Sequence, residues 1–175
     1  LMKENNPPKS AHVFISHFHW DHVIGYLGFA PFFQKDFICN IYGKKDKLSM
    51  EEVFSHLHNY TFWPVEIPMY QAKLNLKTFP KEGIELSNSI KISAQLHGHP
   101  NGANSYRVDL GNKSIVYSTD IEHPETNLNP NVIDIAKDAD ILIKDAQFTD
   151  EQLEAHKGWG HSSWQQCVEV ANKAN

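Results

Sequence analysis

The chain has 175 residues, with sixteen Lys and Arg against twenty-one Asp and Glu, a net charge of −5 and two cysteines. It is long enough for one domain with its own core, and neither an apolar run of the ~18 to 20 residues that span a membrane nor the apolar stretch of a signal peptide occurs in it. Arg107 is the only arginine, so a long nucleic acid is a disfavoured partner. Cys39 and Cys167 cannot build a disulfide scaffold, and free thiols suit a reducing, cytoplasmic compartment.

Strand-like and helix-like segments alternate along the chain, which indicates an α/β class. Ala11 to Ser16 reads as a buried strand. Asp21 through Phe33 then reads as helical, with Val23, Ile24 and Leu27 on one face. Phe37 to Tyr42 is a strand closed by Gly43. Ser49 and Glu52 form a capping box ahead of Met50, Val53, Phe54 and Leu57, so an amphipathic helix is expected from Ser49 to His58. Tyr60 to Tyr70, aromatic and interrupted by Pro64 and Pro68, is expected to be a packed loop rather than a substrate wall. Leu74 to Phe79, Ile90 to Leu96, Ser105 to Leu110 and Lys113 to Ser118 read as strands, the last two joined by Gly111-Asn112, which is hairpin chemistry. Ala139 to Lys144 is one more strand. A last helix is expected to start near Ser162, to cap through Gln165 and to bury Trp164, Cys167, Val168 and Ala171.

Eleven histidines are about three times a typical share, and they cluster. His17-Phe18-His19-Trp20-Asp21-His22 follows the first strand and opens the first helix. Alternate side chains of an extended segment point the same way, so His17, His19 and Asp21 converge, and His22 in the first helical turn swings in beside Asp21. Imidazole nitrogen and carboxylate oxygen are the donors that zinc and similar metals take, with a position left open for water in a catalytic site. Downstream, Leu96-His97-Gly98-His99 offers two histidines at strand spacing. The Pro100-Asn101-Gly102 turn favours His99 as the ligand, with His97 behind it.

These residues resemble the metallo-β-lactamase superfamily, whose first motif is H-x-H-x-D-H. His99-Pro100-Asn101-Gly102 followed by Ser105-Tyr106-Arg107-Val108 is similar to the next histidine motif of its phosphodiesterase branch. Tyr117-Ser118-Thr119-Asp120 resembles the strand-end aspartate that bridges two metals. Asp145-Ala146-Gln147 and Gly160-His161-Ser162-Ser163 resemble the acidic and histidine motifs of tRNase Z-like and phosphoribosyl cyclic phosphodiesterase-like members. The resemblance runs from about Ala11 to the end, in the family's order. It implies one αββα-sandwich domain over 1–175. The family has a hairpin before the first motif and a last metal histidine on a strand beyond the final helix, so the domain is read as truncated at both ends.

By that resemblance, His17, His19 and His99 hold one metal, Asp21 and His22 the other, and Asp120 bridges. The cofactors are expected to be two divalent ions, zinc first, with manganese or iron as alternatives. The implied activity is a metal-dependent hydrolase, a phosphodiesterase acting on a small cyclic phosphate or nucleotide through a metal-bound hydroxide. His161 is the expected general acid, Asp145 its orienting carboxylate, and Asp21 an aid to water orientation. A thioester or lactam hydrolase of the same fold, or a silent metal-binding sensor, is the alternative. Of the other histidines, His12 is expected to face a neighbouring strand, and His56, His58, His123 and His156 to lie on the surface. Phe18 and Trp20 are expected to pack beneath the site.

Overall fold

The computed structural model describes residues 8–124 and 127–175. The chain divides into two compact units, Leu1–Phe79 and Pro80–Asn175.

The first unit is built on three parallel strands in the order β1-β2-β3: β1 Ser10–Phe14, β2 Ile38–Gly43 and β3 Lys73–Thr78. Parallel strands need crossovers, and the longer one carries α2, Met50–Leu57. Its capping box forms as the sequence predicts: the Ser49 hydroxyl accepts from the Glu52 amide while the Glu52 carboxylate accepts from the Ser49 amide. Met50, Val53, Phe54 and Leu57 are all buried, one stripe at i, i+3, i+4 and i+7. They pack with Val23, Phe32 and Ile41 in one core.

Asp21 through Phe33 is not one helix. It is α1, Trp20–Val23, followed by two 3₁₀ turns, Ile24–Tyr26 and Ala30–Phe33. Gly25 and Gly28 weaken the helix and Pro31 denies an amide to its ladder. The broken path turns Ile24 outward, 57% exposed, while Val23 and Leu27 stay buried. The aromatic loop divides too. Trp63, Val65 and Ile67 pack on the core and Tyr70 is buried, whereas Tyr60 and Phe62 stand in solvent.

The second unit is a five-stranded sheet, β4 Ile84–Ser87, β5 Ile90–His97, β6 Ala103–Leu110, β7 Lys113–Ser118 and β8 Ile141–Lys144, in chain order. Neighbours are antiparallel except β7 and β8. Consequently β5, β7 and β8 run the same way, and their C-terminal ends share one edge of the sheet. β4, four residues long with a bulge, was not expected from the sequence. Helix α3, Pro130–Ala136, also went unread, although Asn129 caps it and Pro130 occupies its first position, a standard start. Two further helices follow, α4 Asp150–Leu153 and α5 Trp164–Ala174. Val116 and Leu142 of the sheet pack against Ile135, Ala136 and Ala174.

The last helix starts one residue later than its sequence suggests. Ser163 is the cap, boxed with Gln166, and the buried residues are Val170 and Ala174 rather than Trp164 and Val168, which are exposed. The reason is competition for the preceding hydroxyl: Ser162 is held by Asp145 and Lys144, so the cap falls to its neighbour. Among the described residues no helix is long and apolar enough to cross a membrane.

Candidate functional site

In the first unit the donors gather where β1 gives way to α1. The amide of Ile15 continues the β1–β2 ladder by donating to Tyr42 (2.8 Å), after which the chain leaves the sheet. His17 is fully buried there. Its Nδ1 lies 3.1 Å from the Ser16 hydroxyl and its Nε2 3.0 Å from His19 Nδ1. The His17 ring is 4.4 Å from that of His19, as alternation along an extended segment predicts, and 4.2 Å from that of His22, which the first turn of α1 brings in. Asp21, with its side chain 79% exposed, reaches His22 Nε2 at 3.2 Å. Phe18 packs on the core as expected. Trp20 does not: it is 56% exposed, because it opens α1 on the outer side of that turn.

In the second unit three of the four sequence-predicted residues sit at the shared edge of β5, β7 and β8, and the fourth, His161, lies in the loop before α5. His99 lies two residues past β5, Asp120 two past β7, and Asp145 one past β8. The Nδ1–H of His99 donates to the Gly160 carbonyl (2.8 Å), which leaves the Nε2 lone pair facing the Asp120 carboxylate at 3.9 Å. A ring nitrogen that donates to a backbone carbonyl is how metal-binding histidines are usually oriented, so this residue suits a ligand's part. Asp120 holds the left-handed region, φ 51°, and takes a hydrogen bond from its neighbour Thr119 Oγ1 at 2.5 Å. Such backbone strain in a non-glycine residue concentrates at working sites.

His161 Nδ1 stands 3.4 Å from Asp145 Oδ1, close enough for an ion pair though not in hydrogen-bond geometry. The other carboxylate oxygen of Asp145 accepts from the Ser162 amide (2.7 Å) and hydroxyl (3.1 Å). The His161 ring lies 5.9 Å from that of His99. Beside it opens a cavity of about 410 Å³ lined by His123, Asp150, Glu154, His156, His161 and Gln166 among others.

His97 stands behind the site, as the sequence reading has it, but its partners were not foreseen: buried, it donates from Nε2 to the carbonyls of Thr119 (3.0 Å) and Asp120 (3.2 Å) and receives from Ser105 on Nδ1 (2.8 Å), so it fixes the strand end that carries Asp120. Burial drives its pKa down to about 4, keeping it neutral. Lys144 donates to the Ser162 hydroxyl (2.6 Å) and the Asp145 carbonyl (3.1 Å), and burial lowers its pKa to about 8. Two expected surface histidines are buried instead. His58 sits between the Phe54 carbonyl (2.6 Å) and the Tyr70 hydroxyl (3.0 Å), because it ends α2 on the apolar stripe's side. His123 accepts from the Asn129 amide (2.9 Å) and supports the start of α3. His12 stacks on Tyr42, as a strand neighbour should.

Strand-end histidines and aspartates, on one parallel and one mixed sheet, define the class first: the fold of a metal-dependent hydrolase. The chain belongs to the beta-lactamase superfamily domain family, whose sequence model matches residues 2–175. Among curated proteins none matches it. Among solved structures it is similar to human tRNase Z, short form, with 17% identity and a TM-score of 0.70 over 93% of this chain and 68% of that one. It is also similar to the metallo-beta-lactamase fold protein YhfI from Bacillus subtilis, at 22% identity and TM-score 0.66 over 93% and 59% of the two chains. Yeast PDE1 follows with 16% identity and TM-score 0.64, over 94% and 52%. The chain thus spans between about half and two thirds of the length of these proteins, and shares their metallo-β-lactamase fold.

Proposed function

We propose that this chain belongs to a phosphodiesterase that cleaves a small cyclic phosphate or nucleotide with the help of two divalent metals. The observation that carries the reading is His161 beside the Asp145 carboxylate, its ring 5.9 Å from that of His99, with a cavity of about 410 Å³ next to it. The proposed ligands are His17, His19, Asp21, His22, His99 and Asp120, an imidazole and carboxylate set that suits zinc, with manganese or iron as alternatives. That a fold neighbour is the diiron β-hydroxylase CmlA from Streptomyces venezuelae supports keeping iron among them. When bound, the ions acidify a water and offset charge on the phosphoryl group.

The remaining work falls to the chain's own residues. His99 is held in one tautomer by Gly160, so that Nε2 stays a lone-pair donor. Asp21, exposed at the first-unit cluster, orients water through its open oxygen. His161 supplies the proton that a leaving alkoxide needs, and the Asp145 carboxylate favours the imidazolium and fixes its ring. A net charge of −5 with one arginine supports a small substrate over a long nucleic acid. Two free cysteines, Cys39 buried with its thiol pushed up to about 11, support a reducing, cytoplasmic setting.

The test is a leaving-group comparison. His161→Ala should lower kcat by about 10²- to 10⁴-fold on an alkyl phosphodiester and far less on a p-nitrophenyl ester, with metal content unchanged, because only the poor leaving group needs the proton. Asp120→Ala should instead lose metal and both activities. Equal losses on both esters in His161→Ala would remove the general-acid role, and wild-type cleavage of a thioester or lactam in place of either ester would overturn the substrate class.

A further inference from the structure

We propose that Glu122 is a positioning residue that clamps the loop carrying His161 against His99, so that one carboxylate sets both the proton donor and a ligand imidazole. The inference rests on the roles given above to His161 and His99. Glu122 lies two residues after Asp120, and its own amide donates to the Gly98 carbonyl (2.9 Å), which fastens it to the His99 turn. Its side chain then reaches 36 and 38 residues along the chain: Oε1 accepts from the Gly158 amide and Oε2 from the Gly160 amide, each at 2.7 Å. Both carboxylate oxygens are thus committed to one short arch, Gly158-Trp159-Gly160, and His161 is the next residue.

The arch needs such a clamp. Gly158 and Gly160 both hold positive φ, 84° and 86°, and glycines lose the most freedom when a loop is fixed. A Cβ on Gly160 would overlap the His99 ring and Pro100, so the backbone passes as close to the ligand histidine as it can. That approach is what lets the Gly160 carbonyl take the His99 Nδ1–H. Hydrogen bonds to an ionised acceptor are shorter and about twice as strong as neutral ones, and here two of them hold three consecutive residues. The Gly160 end of the arch holds the His99 ring and leads directly into His161, so fixing the arch fixes both. Sequence reading passed over Glu122, because nothing in Asp120-Ile121-Glu122 indicates a partner so far along the chain.

Glu122→Gln is the informative variant, since it keeps the shape and one accepting oxygen but turns the other into a donor that cannot receive an amide. In the zinc-loaded protein, kcat on an alkyl phosphodiester should fall about 10- to 100-fold, the p-nitrophenyl ester should change by less than about threefold, and KM should hold. Adding Glu122→Gln to His161→Ala should cost nothing further on the alkyl ester. Without substrate, amide hydrogen exchange at Gly158 and Gly160 should accelerate while that of β5 to β7 is unchanged, and chelator competition should show zinc held about tenfold less tightly. Additive losses in the double variant, equal losses on both esters, or unchanged exchange at both glycines would overturn the clamp. If the wild type cleaves neither ester, the phosphodiesterase reading fails, and the exchange and zinc measurements still decide the clamp.

Discussion

At the scale of single residues, the close passage of Gly160 beside His99 is a requirement that no other amino acid meets. Alanine there would carry a strained positive φ, about 1 to 2 kcal/mol, and its methyl group would displace the imidazole. We expect Gly160→Ala to fold, to keep its circular dichroism, and to bind zinc at least tenfold more weakly in chelator competition, since the outer partner of a ligand histidine is worth about that much. Wild-type affinity in a folded Gly160→Ala would show that the ring does not need this approach. The proposed ligand histidines and Asp120 stand out in the sequence because ligation demands particular residue types at strand ends. Glu122 and Lys144 were not legible, and His97 only as the residue behind His99: all three act through carbonyls, amides and hydroxyls that any of several residues can serve, and most of their partners are distant in sequence. His123 and His58 were misread for the same reason, since burial of a single histidine depends on a packing partner that local spacing does not reveal.

Elements show the same division between local and distant causes. Helix α2 was legible at both ends and on its buried face because its cap and stripe are all within nine residues. Ser49→Ala should therefore cost about 1 kcal/mol, read as a lower urea midpoint with the m-value unchanged, and Glu52→Gln should cost less because it keeps an acceptor for the Ser49 amide. A Ser49→Ala midpoint equal to that of wild type would mean that the cap adds nothing to an already packed helix. Helix α5 was placed one residue off because two serines stand side by side and the choice between them is made by Asp145 and Lys144, not by the helix. In β7, burial alternates strictly, and its hairpin with β6 turns on Gly111 at φ 60°, so both were legible. In β4, four residues with a bulge carry too short a pattern to be recognised.

Across the whole molecule, the histidines that are buried without being proposed ligands set the response to acid. His123 is 8% exposed, its Nδ1 accepts the Asn129 amide, and its charged form is opposed first by burial and then by the positive charges of Lys144 and His97, which lowers its pKa to about 3. An unfolded chain restores a value near 6.5. Between those limits the unfolded state binds a proton that the folded state refuses, so stability is fully present above about pH 6.5 and is lost as pH falls towards 3, at up to about 1.4 kcal/mol per unit for this one group. His97, lowered to about 4, adds a second such group over most of the range. The carboxylates with lowered pKa, Asp46, Glu52, Asp140 and Glu151, titrate below the upper part of this window and leave it to the histidines. In chelated, metal-free protein the urea midpoint should fall steadily from pH 6.5 to 4.5. In His123→Asn, whose amide oxygen can still receive the Asn129 amide, the pH slope should shrink by close to one proton while the midpoint at pH 7 changes little. A slope in the variant equal to that of the wild type would place the acid sensitivity elsewhere.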